Sequence, residues 1–125
     1  MDADGVPYQA LRKARAVDTL AMSQPVFAEL LDVLHRPRLA RFMDPDLRAD
    51  LLDQLVSGTL WFAPAEAVSD CRDAADNKYL ELVLSAGASS LVSGDQDLLV
   101  LHPWRGIPIL RPAEYLARDD PPTRR

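Results

Sequence analysis

Four short apolar runs, Thr19–Met22, Leu60–Phe62, Ser90–Ser93 and Ile107–Leu110, set the strongest limit on what this chain can become. Each is too short to hold a fold alone, and segments of helical period lie between them. Short apolar strands interleaved with helices bury both faces in a parallel sheet, so the pattern predicts an α/β domain. Pro108 cannot donate to a ladder, which puts the last strand at an edge.

The helices are marked by their ends as much as by their period. A first helix is predicted over Tyr8–Val17, with Leu11 and Ala14 inward and Arg12, Lys13 and Arg15 outward. Ser23 caps a second, with Pro25 in its first turn, where a missing N–H costs nothing. Phe27, Leu30, Leu31 and Leu34 form its apolar stripe, and it stops near Pro37. Asp44-Pro45 opens a third in the same way, with Leu47, Leu51, Leu52 and Leu55 inward and Gly58 as terminator. Residues 63–72 read as irregular. A helix over Ala74–Ala86 closes on Gly87, Asp97–Leu101 makes a single turn, and a short helix starts at Pro112. One domain over residues 1–117 is expected, followed by a disordered tail at 118–125 rich in proline and charge.

Composition removes several function classes. With 48% hydrophobic and 26% charged residues the chain is an ordinary globular sequence. A net charge of −5 argues against non-specific coating of nucleic acid, though carboxylates that bind metal are counted in it without being free charge. The single cysteine, Cys71, allows no disulfide framework and fits a reducing cytosol. No apolar run is long enough to span a bilayer, and the acidic Met1-Asp-Ala-Asp-Gly start is no secretory signal. The expectation is a cytoplasmic protein without a membrane partner.

The chemistry concentrates in Asp73-Ala-Ala-Asp76-Asn-Lys-Tyr-Leu and Leu91-Val-Ser-Gly-Asp95-Gln-Asp97-Leu-Leu. The first is a helix that opens on carboxylates, the second a strand that ends on them. In an open parallel sheet, strand carboxyl ends and helix starts meet at one rim, where ligands bind. Carboxylates gathered there repel one another unless a hard divalent cation such as Mg²⁺ sits among them.

Each residue also has a plain structural reading. Asp95 follows Gly94 and reads as a metal ligand or as a turn or cap residue. Asp97 reads equally as ligand or as N-cap before Leu98-Leu99. Of Asp73 and Asp76, one caps the helix and the other faces the site; Asp76 is favoured as ligand, Asp73 as cap or outer support. Glu29 lies beside the apolar stripe, where a carboxylate is costly unless paired or coordinated. Lys78 could pair with Asp73 or Asp76 or touch phosphate, and Ser93 could support the cluster or simply turn the chain. Glu81 and Asp32 read as surface groups. His35, Arg36, Arg38 and Arg41 form a basic patch suited to guiding RNA or to plain solvation, and Arg12, Lys13 and Arg15 form a second. Cys71 reads as inert, and Trp61, Phe62 and Trp104 as packing.

These segments, with Ser23-Gln-Pro-Val-Phe-Ala-Glu29 and Ile109-Leu-Arg-Pro-Ala-Glu-Tyr-Leu116, resemble the PIN-domain family in order and spacing, and most closely its toxin components of toxin–antitoxin systems. The resemblance implies a three-layer fold, a parallel sheet flanked by helices. It implies an endoribonuclease with one or two Mg²⁺ or Mn²⁺ ions, a metal-activated water, a cognate antitoxin and dimerisation. Glu29, Asp76 and Asp95 match the family's catalytic acids, and Asp97 a further acidic position. The family also begins with a central strand ending in an Asp. Residues 1–7 match the loop after it, so that strand and its ligand are expected to be missing. A start placed too far downstream, a truncated and inactive remnant that binds only an antitoxin or sister subunit, and a partner chain supplying the strand all fit. Asp2 and Asp4 are weak substitutes, lying in a loop. A receiver-like phosphoacceptor domain would need a Lys after a late strand, and Arg111-Pro112 stands there instead.

Overall fold

The structure, a computed structural model, describes residues 5–40 and 44–118. Its elements follow in the order α1 (Val6–Val17), β1 (Ala21–Met22), α2 (Gln24–Leu34), α3 (Pro37–Ala40), α4 (Pro45–Ser57), β2 (Leu60–Trp61), a 3₁₀ turn (Ala74–Asp76), α5 (Asn77–Ala86), β3 (Leu91–Val92), α6 (Gln96–Leu99), β4 (Ile109–Leu110) and α7 (Pro112–Ala117). Helix dominates, with short strands between. Asp2, Asp4, Arg41 and the tail from residue 119 lie outside the described residues.

The punctuation in the sequence acts largely as its chemistry dictates. Ser23 Oγ accepts from the Val26 N–H at 3.4 Å, with Pro25 in the first turn of α2. Gly87 ends α5 in the left-handed region, φ 62°, a conformation open to glycine without a Cβ penalty. Asp44 precedes Pro45 as expected, but its side chain makes no cap hydrogen bond. The short α3 was not foreseen, because four residues carry no period to read.

The strands are parallel, as expected, but they form two separate pairs rather than one sheet: β1 with β2, and β3 with β4. The ladder pattern fixes which backbone groups remain open. The Leu20 and Met22 carbonyls accept from Leu60 and Phe62, so Ala21 turns its N–H and C=O away from β2. The Leu91 and Ser93 N–H groups donate to Pro108 and Leu110, so Val92 faces away from β4 in the same manner. Among the described residues no strand pairs with either open edge. β4 pairs with β3 alone among the described residues, as each strand does with a single partner, so the edge placement expected from Pro108 is not distinguished.

Two apolar clusters hold these pairs. Leu80, fully buried on α5, packs with Val68, Cys71, Val83, Leu98, Trp104 and Ile109. Leu34, Leu51 and Leu55 make the second, between α2 and α4. Burial pushes the Cys71 thiol up, away from the reactive thiolate, in keeping with an inert cysteine. Trp104 donates to Asp70 at 2.8 Å, and Phe27 meets Trp61 edge to face at 5.3 Å.

Lys13 corrects the expectation that its helix face is solvated. Its Nζ donates to the Tyr115 and Arg118 carbonyls at 2.9 and 2.8 Å, closing the end of α7, and lies over the Tyr115 ring. Tyr115 Oη in turn donates to Asp18 just beyond α1. Tyr115→Phe keeps the packing and deletes one hydrogen bond to a charged group, so it should cost about 1 kcal/mol in urea unfolding. An unchanged midpoint would show that Asp18 finds an equivalent partner in water.

Candidate metal centre

The carboxylates come together at the N-terminal end of α5 and the C-terminal end of β3. Asp73 caps the 3₁₀ turn, its Oδ1 accepting from the Ala75 N–H at 3.0 Å. That capped turn carries Asp76 inward, where it is only 7% exposed. The next residue locks the entry: Asn77 Oδ1 accepts from the Cys71 N–H at 2.8 Å. From the other side, Ser93 Oγ accepts from the Asp95 N–H at 2.9 Å, and Asp95 Oδ1 caps α6 through the Asp97 N–H at 3.0 Å. The cap of this turn is therefore Asp95, not Asp97, because α6 begins one residue earlier than the period suggested.

The result is a cleft of about 330 Å³ lined by Glu29, Asp76, Tyr79, Leu91 to Asp95 and Leu98. All three expected catalytic acids, Glu29, Asp76 and Asp95, reach it, and Ser93 lines it too. A second grouping overlaps the first: Asp73, Asp76 and Asp97 each bring an oxygen within 4.8 Å of the other two. Asp76 belongs to both.

Electrostatics separates these acids into three states. Glu29 is held well below the usual carboxylate range, first by the Lys78 ammonium and then by the Tyr79 hydroxyl, which donate to its Oε1 and Oε2 respectively. Lys78 thus pairs with an acid of another helix rather than with Asp73 or Asp76. Asp97 accepts from Arg72, whose Nε lies 3.0 Å from Oδ1. Neither Asp76 nor Asp95 forms an ion pair among the described residues, although the Arg72 charge helps to lower Asp95. Burial, and then the neighbouring Asp95, push the Asp76 carboxyl up to about 7, while the contact with Asp76 and the Asp97 N–H push Asp95 down. The two carboxyls lie where they can share one proton.

Asp76 Oδ2 is buried without a hydrogen-bond partner. A buried acceptor facing further acceptors lacks a positive group, and an all-oxygen donor set suits a hard divalent ion. The residues therefore fit such an ion. An acidic cluster able to hold such an ion is present among the described residues.

Other expectations fare differently. Arg36 pairs with Asp32 at 3.0 Å on the outer face of α2, and Arg38 is exposed on α3; neither lines the cleft. Glu81, read as a surface group, accepts from the Val68 N–H at 2.9 Å and ties down the irregular segment. His102 is occupied by the Ile109 N–H at 2.8 Å. Arg72 at the rim and Tyr79 in the cleft were missed. Arg72 precedes Asp73 directly, and a basic residue flanking an acidic motif was the signal for it.

The chain is a mixed domain of helices and short parallel strands with carboxylates collected at a strand end. More narrowly, the PIN domain family model matches residues 7–97, and this chain belongs to that family. Membership suggests a nuclease-type function. Comparison with curated proteins and with solved structures gave no match. No helix among the described residues is long and apolar enough to cross a membrane.

Proposed function

We propose that this chain is a metal-dependent endoribonuclease, acting as the toxin of a type II toxin–antitoxin pair. The observation that carries the reading is Asp76, a carboxylate 7% exposed with a buried, unpartnered oxygen, set against Asp95 in an open cleft. A protein core does not retain such a group unless something positive meets it.

Asp76 and Asp95 would hold the Mg²⁺ or Mn²⁺ ion, with Asp97 and Asp73 at its margin. When bound, the ion would polarise the scissile phosphate and lower the pKa of a water placed for in-line attack. The remaining work falls to the chain. Arg72, anchored through Asp97 with most of its side chain in solvent, would take a phosphate oxygen of the RNA. Leu91, Val92 and Leu98 would keep one wall apolar and dry. Neither histidine lines the cleft, so proton removal from water relies on the ion and the carboxylates. Arg38, exposed beyond α2, would add affinity along the RNA backbone, and Arg36, committed to Asp32, less. An antitoxin would silence the enzyme by covering this cleft, and a homodimer of the toxin fits the same reading.

A second reading rests on the two open strand edges. The family's central first strand, with its additional Asp, would pair with Ala21 on one side and Val92 on the other. α5 borders both positions, since it packs on β1 and lines the cleft along β3, which supports that arrangement. The alternative is a catalytically inactive chain that only binds an antitoxin or sister subunit.

Incubation of the purified chain with end-labelled RNA separates the two. Cleavage that EDTA stops and added Mn²⁺ restores is the expected result. Intact RNA at every Mn²⁺ concentration, from a protein shown to be folded, would leave the remnant reading.

A further inference from the structure

Lys78 is the only lysine in contact with the acids of the cleft among the described residues, and it is not spent on the acids beside it in sequence. It reaches from the first turn of α5 to Glu29 on α2, and its side chain is 22% exposed, so most of the stem is buried. Tyr79, the next residue, takes the other Glu29 oxygen. With a donor on each oxygen and an ammonium beside it, Glu29 is a poor site for a further cation. We propose that the Lys78 ammonium is the resident second cation of this centre: it withholds Glu29 from the metal, so the centre takes one divalent ion, on Asp76 and Asp95, rather than two. The inference rests on the metal-centre reading above and makes it more specific.

Charge balance points the same way. Lys78 neutralises Glu29 and Arg72 neutralises Asp97, each through a direct ion pair. Asp73 spends an oxygen on the Ala75 N–H. Asp73, Asp76 and Asp95 remain without an ion pair, and of these Asp76 and Asp95 line the cleft. A second ion would need Glu29, and to reach it would have to displace an ammonium and a phenol at once. A tethered ammonium is a poor Lewis acid, but it loses little entropy on binding and does not dissociate. Its role here is positioning: it fixes Glu29 and sets metal number, without touching the reacting atoms.

The test is Mn²⁺ stoichiometry, read by calorimetry and by electron paramagnetic resonance, which distinguishes an isolated ion from a coupled pair. The wild-type chain should bind one Mn²⁺ and show an uncoupled spectrum. Lys78→Met frees Glu29 and should bind two, with the signature of a coupled pair. Lys78→Arg keeps a cation and should remain at one, and it serves if Lys78→Met does not fold. Two ions in the wild-type chain would overturn the proposal and leave the metal centre standing. One ion in both wild type and a folded Lys78→Met would overturn it equally. A second ion in Lys78→Arg would show that cation charge alone does not exclude it, and would also overturn it. No Mn²⁺ binding by any variant would remove the metal-centre reading itself.

Discussion

Asp76→Asn should lower metal-dependent RNA cleavage by at least about 100-fold while the protein stays folded. The amide is nearly the same size, so the core around Leu80 and Cys71 is undisturbed. What changes is that the one deeply buried acceptor of the cleft loses its charge, and with it the strongest attraction for a divalent ion. Asp95→Asn, at an exposed position, should cost cleavage too, but it also weakens the α6 cap seen at the Asp97 N–H. Asp76 is therefore the cleaner probe. Cleavage by Asp76→Asn within a few-fold of wild type, at saturating Mn²⁺, would remove Asp76 from the site.

The same residue should make metal-free stability fall with rising pH. Asp76 is raised from its ordinary value to about 7, so between those limits the folded chain keeps a proton that the unfolded chain has released. The contribution is fully present below the ordinary carboxylate pKa and is lost as pH climbs through about 7. Asp95, shifted the opposite way, gains its stabilisation as pH rises below the ordinary carboxylate pKa, outside this window. We expect a loss of up to about 4 kcal/mol across that window, measured by urea unfolding with EDTA present. Asp76→Asn should flatten the slope, and Mg²⁺ should restore stability at the alkaline end by binding only the folded state. A wild-type slope in Asp76→Asn would place the titrating group elsewhere.

Local chemistry was legible in the sequence, and pairing across the fold was not. Ser23 with Pro25, Asp73 before the turn and Gly87 after α5 each act on their own neighbours, so residue type alone predicts them. The gathering of Glu29, Asp76 and Asp95 into one cleft followed from strand ends and helix starts sharing a rim. Lys78 was assigned to the acids two and five residues before it, whereas its partner is 49 residues away on another helix. Spacing along a chain carries no information about such a contact. Lys13 misled for a related reason: its helix face looked solvated because α7, which covers it, is 102 residues distant. Of the two residues read as possible caps, Asp95 takes the N-cap of α6, because where a four-residue helix begins is a distance no periodicity resolves.

The two strand edges left unpaired among the described residues carry a consequence for handling the protein. Natural sheets protect exposed edges with lysine, proline or a bulge, and neither Ala21 nor Val92 offers any of these. Val92 even presents an apolar side chain, 38% exposed, beside its open N–H and C=O. Where such edges stay open, they are templates for intermolecular strand pairing at high concentration.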